Sequence, residues 1–184
     1  MVATKFPPGL RATAEDLPGA LQASLTRLRR TTVDLYQHHF HSRRVDIPTL
    51  MGLMADAVEA GHVRAVGVSN YSAAQMRTAH QVLADRGIPL ASNQVQYSLV
   101  HRQPETDGVL DSCRELGVTL IAHQPLASGA LTGKYLDGQG PPGLRPLMPN
   151  FRGKARQAIA PVVGLLTEIG AHQPHPVLRA TRRP

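Results

Sequence analysis

A set of polar residues stands out because each falls at or just past the end of a short apolar run. They are Lys5 after "VAT", His39 after "VDLYQH", Ser69 and Asn70 in "AVGVSN", Gln94 in "ASNQV" and His123 after "VTLIA". Lysine brings a cation, histidine a group that carries or donates a proton near neutral pH, and Ser, Asn and Gln neutral donors and acceptors. Lys5 is followed by Phe6 and then Pro7, Pro8 and Gly9, which reads as a strand end delivering a charge into a site. His39-Phe40-His41 is a His-x-His step, and in a strand both rings would share one face, as in a pair of metal ligands. A metal needs further His or carboxylate ligands, and the other strand ends offer Lys, Ser, Asn and Gln. A metal-dependent barrel hydrolase is therefore the rival reading, with His41 otherwise a plain loop residue. His38 faces away from His39, toward a helix layer, in a hydrogen-bonded structural role. The stretch "SGALTGK" looks like a phosphate loop, but the G-x-x-x-x-G-K spacing fails.

The elements that position these groups alternate. Strands are expected at Val2–Lys5, Val33–His39, Val63–Ser69, Ser92–Gln96 and Val118–Ala122. Helices are expected at Leu17–Leu28, Thr49–Ala60, Ala73–Arg86, Pro104–Leu116 and Ala155–Ile169. Ser72 opens Ser-Ala-Ala-Gln, a capping box, and Gly61, Gly87 and Gly117 each follow a helical run where a left-handed residue ends a helix. Repeated strand–helix alternation implies parallel strands joined by crossovers, hence an α/β barrel or a doubly wound sheet. Periodicity does not separate the two. The polar strand ends favour a TIM barrel, whose strands all empty onto one catalytic rim.

Composition narrows the class. The chain of 184 residues has 42% hydrophobic and 18% charged residues, which fits a globular domain with a real core. Its net charge of +7 invites a nucleic-acid reading, but the Arg residues are scattered. Aromatics make up only 4% and Trp is absent, so base stacking has little to work with. A solvated surface plus one pocket for an anionic cofactor is the alternative, with no nucleic-acid partner. The single cysteine, Cys113, precludes an intramolecular disulfide and sits in the helical stretch "VLDSCRELG" as a packed small hydrophobe. No leader pattern and no membrane-length apolar run is present in the sequence, so cytoplasm is the expected location.

Four segments then carry a resemblance: "SLTRLRRTTVDLYQHHF", "VRAVGVSNYSAAQM", "ASNQVQYSLVHRQPE" and "GVTLIAHQPLASGALTGKY", in that order, with "ATK" ahead of them. They resemble consecutive signatures of the aldo-keto reductases, and the likeness runs from about Val2 to about Ile169. The resemblance implies an eight-stranded (β/α) barrel and reversible hydride transfer between NADP(H) and an aldehyde or ketone. It implies a catalytic tetrad of Asp, Tyr, Lys and His, of which the lysine falls on Lys5 and the histidine on His39. It assigns Ser69, Asn70 and Gln94 to the nicotinamide carboxamide, and puts His123 where an aromatic residue stacks on the nicotinamide ring. The loop Gln124, Pro125, Leu126, Ser128 and Gly129 would wrap the pyrophosphate. Lys134, and less directly Arg145, match cations beside the phosphates in some subfamilies.

The tetrad's Asp and Tyr lie upstream of the lysine in the family, so the chain is expected to be truncated, holding about the third to the seventh strand. In that chemistry the tyrosine protonates the carbonyl oxygen, and its phenol, with a pKa of about 10, needs a cation to act near neutrality. Lys5 and His39 would be auxiliaries to a missing acid, and neither Tyr36 nor Tyr71 matches its position. Turnover is expected to be low or absent, leaving a non-catalytic fragment or pseudoenzyme that binds cofactor or a partner chain as the alternative. The expected layout is a partial barrel over residues 1–170 and an aberrant, disordered Pro/Arg-rich tail over 171–184, attributed to a frameshift or a cloning artefact. Open sheet edges would offer pairing with another chain.

Overall fold

The computed structural model describes residues 1–6, 13–41, 45–135 and 151–172. The chain forms two compact units, Met1–Gln96 with Gln103–His123 and Tyr97–Arg102 with Gln124–Pro184. The first unit carries the alternation: β1 (Ala3–Phe6), α1 (Leu17–Leu28), β2 (Leu35–His38), α2 (Ile47–Glu59), β3 (Val66–Ser69), α3 (Ala73–Ala84), β4 (Leu90–Gln96), α4 (Val109–Glu115) and β5 (Thr119–His123). The sheet order is β1-β2-β3-β4-β5, with every pair parallel. A doubly wound sheet would reverse its order at a switch point. An unbroken sequential order is that of a TIM barrel, of which this is a part.

Register decides which side chains share a face. Lys5, Gln37, Gly67, Ser92 and Thr119 lie side by side across the strands, and so do Phe6, His38, Val68, Asn93 and Leu120. The second row faces the helices, which pack in series α1–α2–α3–α4. There Leu17, Leu50, Met54, Met76 and Leu83 are fully buried against Phe6, Tyr36 and Val68, each such side chain stabilising the fold by about 1.5–3 kcal/mol. Gly67 is required by the first row: a Cβ there would lie 2.5 Å from Ser92 Oγ and 3.0 Å from Gln37 Cγ.

Local chemistry sets the ends. Ser72 and Gln75 form the capping box of α3 as expected, and Gly61, Gly87 and Gly117 have positive φ. Asp46 caps α2 by accepting from Thr49 N at 2.9 Å, with Pro48 in the first turn, so the helix starts earlier than its apolar pattern indicates. The fourth helix is shorter than expected. Pro104 sits in a separate 3₁₀ turn (Gln103–Glu105), and Gly108, at φ 82°, restarts the chain before α4. Val33 and Val63 make an isolated bridge ahead of β2 and β3 rather than extending them.

In the second unit, a 3₁₀ segment (Ala127–Thr132) packs on α5 (Gly153–His172) through Ala127, Ala130, Leu131, Ile159 and Val163. The backbone of α5 runs past residue 170, and the tail from 173 onward lies outside the described residues.

Candidate functional site

Lys5 and His39 come from adjacent strand ends. His39 follows β2 directly, and its amide donates to the Phe6 carbonyl at 3.1 Å, so the residue after Lys5 anchors the backbone of His39. Burial holds the imidazole below its usual pKa, and the Lys5 ammonium adds to the effect. Near neutral pH His39 is therefore a neutral ring able to donate a hydrogen bond without bringing a second charge.

β3 and β4 supply the next cluster. Ser69 Oγ donates to the Gln94 carbonyl at 2.7 Å, and the Asn70 amide donates to the same oxygen at 2.9 Å. Asn70 is left-handed, with φ 59°, and its Nδ2 donates to the His39 carbonyl at 3.2 Å and to Ser69 Oγ at 3.1 Å. Both protons of the Asn70 amide are thus engaged, which turns its oxygen into the available end. The Ser69 hydroxyl proton is likewise engaged, leaving lone-pair capacity. His123 ends β5, in register with Gln96.

On the helix side, His38 is fully buried, with Nδ1 2.7 Å from the Tyr71 hydroxyl, the structural role expected for it. Burial, with smaller contributions from His41 and His39, pushes its pKa down to about 4. Tyr71 is held in turn by Asn93, whose side chain bonds both its backbone N–H and its carbonyl. Sequence reasoning missed Asn93 and Tyr71. The available signal was an asparagine one step out of phase with Ser92 and Gln94, hence on the buried face, where a polar group must be bonded.

The shared face expected for His39 and His41 is a correction. β2 ends at His38, the alternation stops there, and the His41 ring stands 6.1 Å from that of Tyr71 while His39 stacks on Phe40. Among the described residues no three His, Cys, Asp or Glu side chains gather as a metal group. Cys113 is buried with Sγ 4.0 Å from Met76 Sδ, the packed role expected.

The second unit holds the remaining candidates. Gln124, Ala127 and Ser128 are left-handed, at φ 55°, 50° and 60°, and Gly129 has φ 94°. The Gly129 amide already donates to the Leu126 carbonyl at 2.9 Å, so a phosphate would compete for it. Pro125 contributes no amide proton. Lys134 Nζ lies 4.8 Å from the centre of the Tyr135 ring, and Arg145 lies outside the described residues. A surface cavity of about 580 Å³, lined by Arg29, Arg30, Asp34 and Arg64 among others, lies at the opposite strand ends and shares no residue with the rim cluster.

The sequence profile of the aldo/keto reductase family matches residues 1–175. The chain belongs to the aldo-keto reductase family. It is 38% identical over 173 residues to a chloroplastic pyridoxal reductase of Arabidopsis thaliana, covering 92% of this chain and 47% of that one. It is 34% identical to the aldo-keto reductase str7 of Strobilurus tenacellus, covering 92% and 51%. Among solved structures it is similar to a glycerol dehydrogenase from Gluconobacter oxydans, at 26% identity and a TM-score of 0.80, covering 92% of this chain and 50% of that one. This aldo-keto reductase chain thus spans about half the length of these relatives.

The family generally uses a nicotinamide cofactor, and the donor set fits its carboxamide. That group presents two N–H donors and one carbonyl acceptor. The Asn70 oxygen and the one remaining Ser69 lone pair could accept from it, and the Gln94 side-chain amide could offer both kinds of partner. Among the described residues, no helix is long and apolar enough to cross a membrane.

Proposed function

We propose that this chain is the cofactor-binding and part of the catalytic portion of an NADP(H)-dependent reductase of small aldehydes or ketones. The single observation that carries the reading is the Ser69–Asn70–Gln94 cluster tied through the His39 carbonyl to the strand ends that carry Lys5 and His39. In the first unit Ser69, Asn70 and Gln94 would hold the carboxamide and His123 would serve the ring; in the second, taken by itself, the family resemblance gives Gln124, Pro125, Leu126, Ser128, Gly129 and Lys134 to the phosphates. The bound cofactor supplies the hydride. As the carbonyl oxygen gained negative charge, His39 would donate a hydrogen bond to it and Lys5 would provide a nearby cation, while the proton that completes the alcohol would come from an acid other than these two. Cytoplasmic location and pairing of further strands on the β1 and β5 edges belong to the same proposal.

A non-catalytic, cofactor-binding role is favoured by one observation. The first unit's two tyrosines, Tyr36 and Tyr71, are both buried among the core residues, and Tyr71 is bonded to His38. Neither is available as the phenol that Lys5 would activate.

Titration of NADPH, followed by cofactor fluorescence, tests the reading. Saturable binding is expected, weakened about tenfold by Gln94→Ala, the loss of roughly one good hydrogen bond. A soluble, folded chain with no saturable binding would overturn it.

A further inference from the structure

We infer that Asn93 is a positioning residue of the nicotinamide site, gripping the main chain of Tyr71 from β4 and thereby holding the left-handed turn that presents Ser69 and Asn70. The inference rests on the cofactor reading of the rim. Asn93 is fully buried on the helix-facing side. Its Oδ1 accepts from Tyr71 N at 3.4 Å, and its Nδ2 donates to Tyr71 O at 3.0 Å and contacts Met76 Sδ at 2.8 Å. A side-chain amide that pairs with both polar groups of one residue acts as a stand-in strand and fixes that residue's backbone. The residue so fixed directly follows Asn70, whose φ of 59° is costly for a non-glycine and persists only where the surroundings dictate it.

Further restraints on the turn come from the ends of β2 and β4 and from within it: the Asn70 backbone N–H and the Ser69 hydroxyl on Gln94 O, the Asn70 side chain on His39 O and Ser69 Oγ, and the Tyr71 hydroxyl on His38. None of them holds the Tyr71 peptide groups. Packing alone does not call for an amide at position 93, since an apolar side chain of similar volume would fill the space without needing partners. Asn93 touches no candidate ligand atom, so its effect passes through the turn.

Asn93→Asp is the discriminating variant, because a protonated carboxyl can both donate and accept where the amide does and a carboxylate can only accept. Burial raises a carboxyl pKa, so the donor returns as pH falls. The titratable groups facing position 93 do not confuse the window. Burial raises the pKa of Tyr71 and Cys113, and His38 titrates at about 4. His41, whose ring is 6.1 Å from that of Tyr71, is common to the wild-type control.

NADP+ binding by calorimetry should be weakened about tenfold relative to wild type at about pH 8 in Asn93→Asp and should recover toward wild type at about pH 5.5. Asn93→Leu should stay weak at both, with circular dichroism showing a folded chain. Affinity of a folded Asn93→Leu chain equal to wild type at both pH values would overturn the inference, whereas an Asn93→Asp carboxyl that stays protonated at about pH 8 would keep both hydrogen bonds and bind like wild type. Backbone chemical shifts of Asn70 give a second reading: they should leave the left-handed range in Asn93→Leu, and unchanged shifts would also overturn it. A wild-type chain that binds no NADP+ sinks the cofactor reading instead, and the shifts still decide whether Asn93 holds the turn.

Discussion

His38 sits 0% exposed between the sheet and the helices, with a pKa pushed down to about 4, against about 6.5 in an unfolded chain. Between those two values the unfolded chain takes up a proton that the folded one refuses. The folded state therefore loses stability as pH falls through about 6.5 toward about 4, and the loss levels off below that. From about pH 7 to about pH 5 the expected loss from this one ring is about 2 kcal/mol. Urea unfolding should show it, and His38→Gln, which keeps a polar partner for Tyr71, should remove that part of the slope. An unchanged slope would refute the assignment. At this scale the rim was legible in the sequence, because Lys5, His39, Ser69, Asn70 and Gln94 are polar residues closing apolar runs. Asn93 was not, since the string shows an amide but not the main chain of Tyr71 that it grips, which is 22 residues away.

Among the elements, β3 is held closely by the strands on both sides of it. Its Gly67 leaves no room for a methyl group between Ser92 Oγ at 2.5 Å and Leu35 Cδ1 at 3.2 Å. Gly67→Ala should destabilise the fold by about 1–3 kcal/mol through overpacking, read as a lower urea midpoint, and Ser92→Ala in the same chain should return part of it. A midpoint equal to wild type would mean that β2 and β4 part more easily than the contacts indicate. The existence of the five strands and the helices between them, and their alternation along the chain, could be read from periodicity and caps. Their ends could not, because those depend on tertiary partners. Val33 and Val63 bridge only each other, and His41, expected beside His39, turns toward Tyr71 once β2 stops at His38. The sequential strand order, which separates a barrel from a doubly wound sheet, leaves no local signature at all.

For the molecule as a whole, the proposed function separates binding from turnover. The first unit carries the Ser69–Asn70–Gln94 cluster proposed to hold the carboxamide, with Lys5 and His39, while its two tyrosines are buried. On the proposed reading, the 184-residue chain should bind NADPH yet consume it with aldehydes at a rate close to that of a protein-free control. Turnover of about 1 per second or faster, abolished by substituting a tyrosine, would contradict this. The sheet order has a consequence in time as well as in space. Among the described residues, each strand pairs only with the strands immediately before and after it in sequence, so none of these five has to wait for a distant one as it emerges from a ribosome. The sheet can grow one strand–helix step at a time as the chain is made. Lys5 and His39 are then brought together early, before the strand that carries Gln94 has been synthesised.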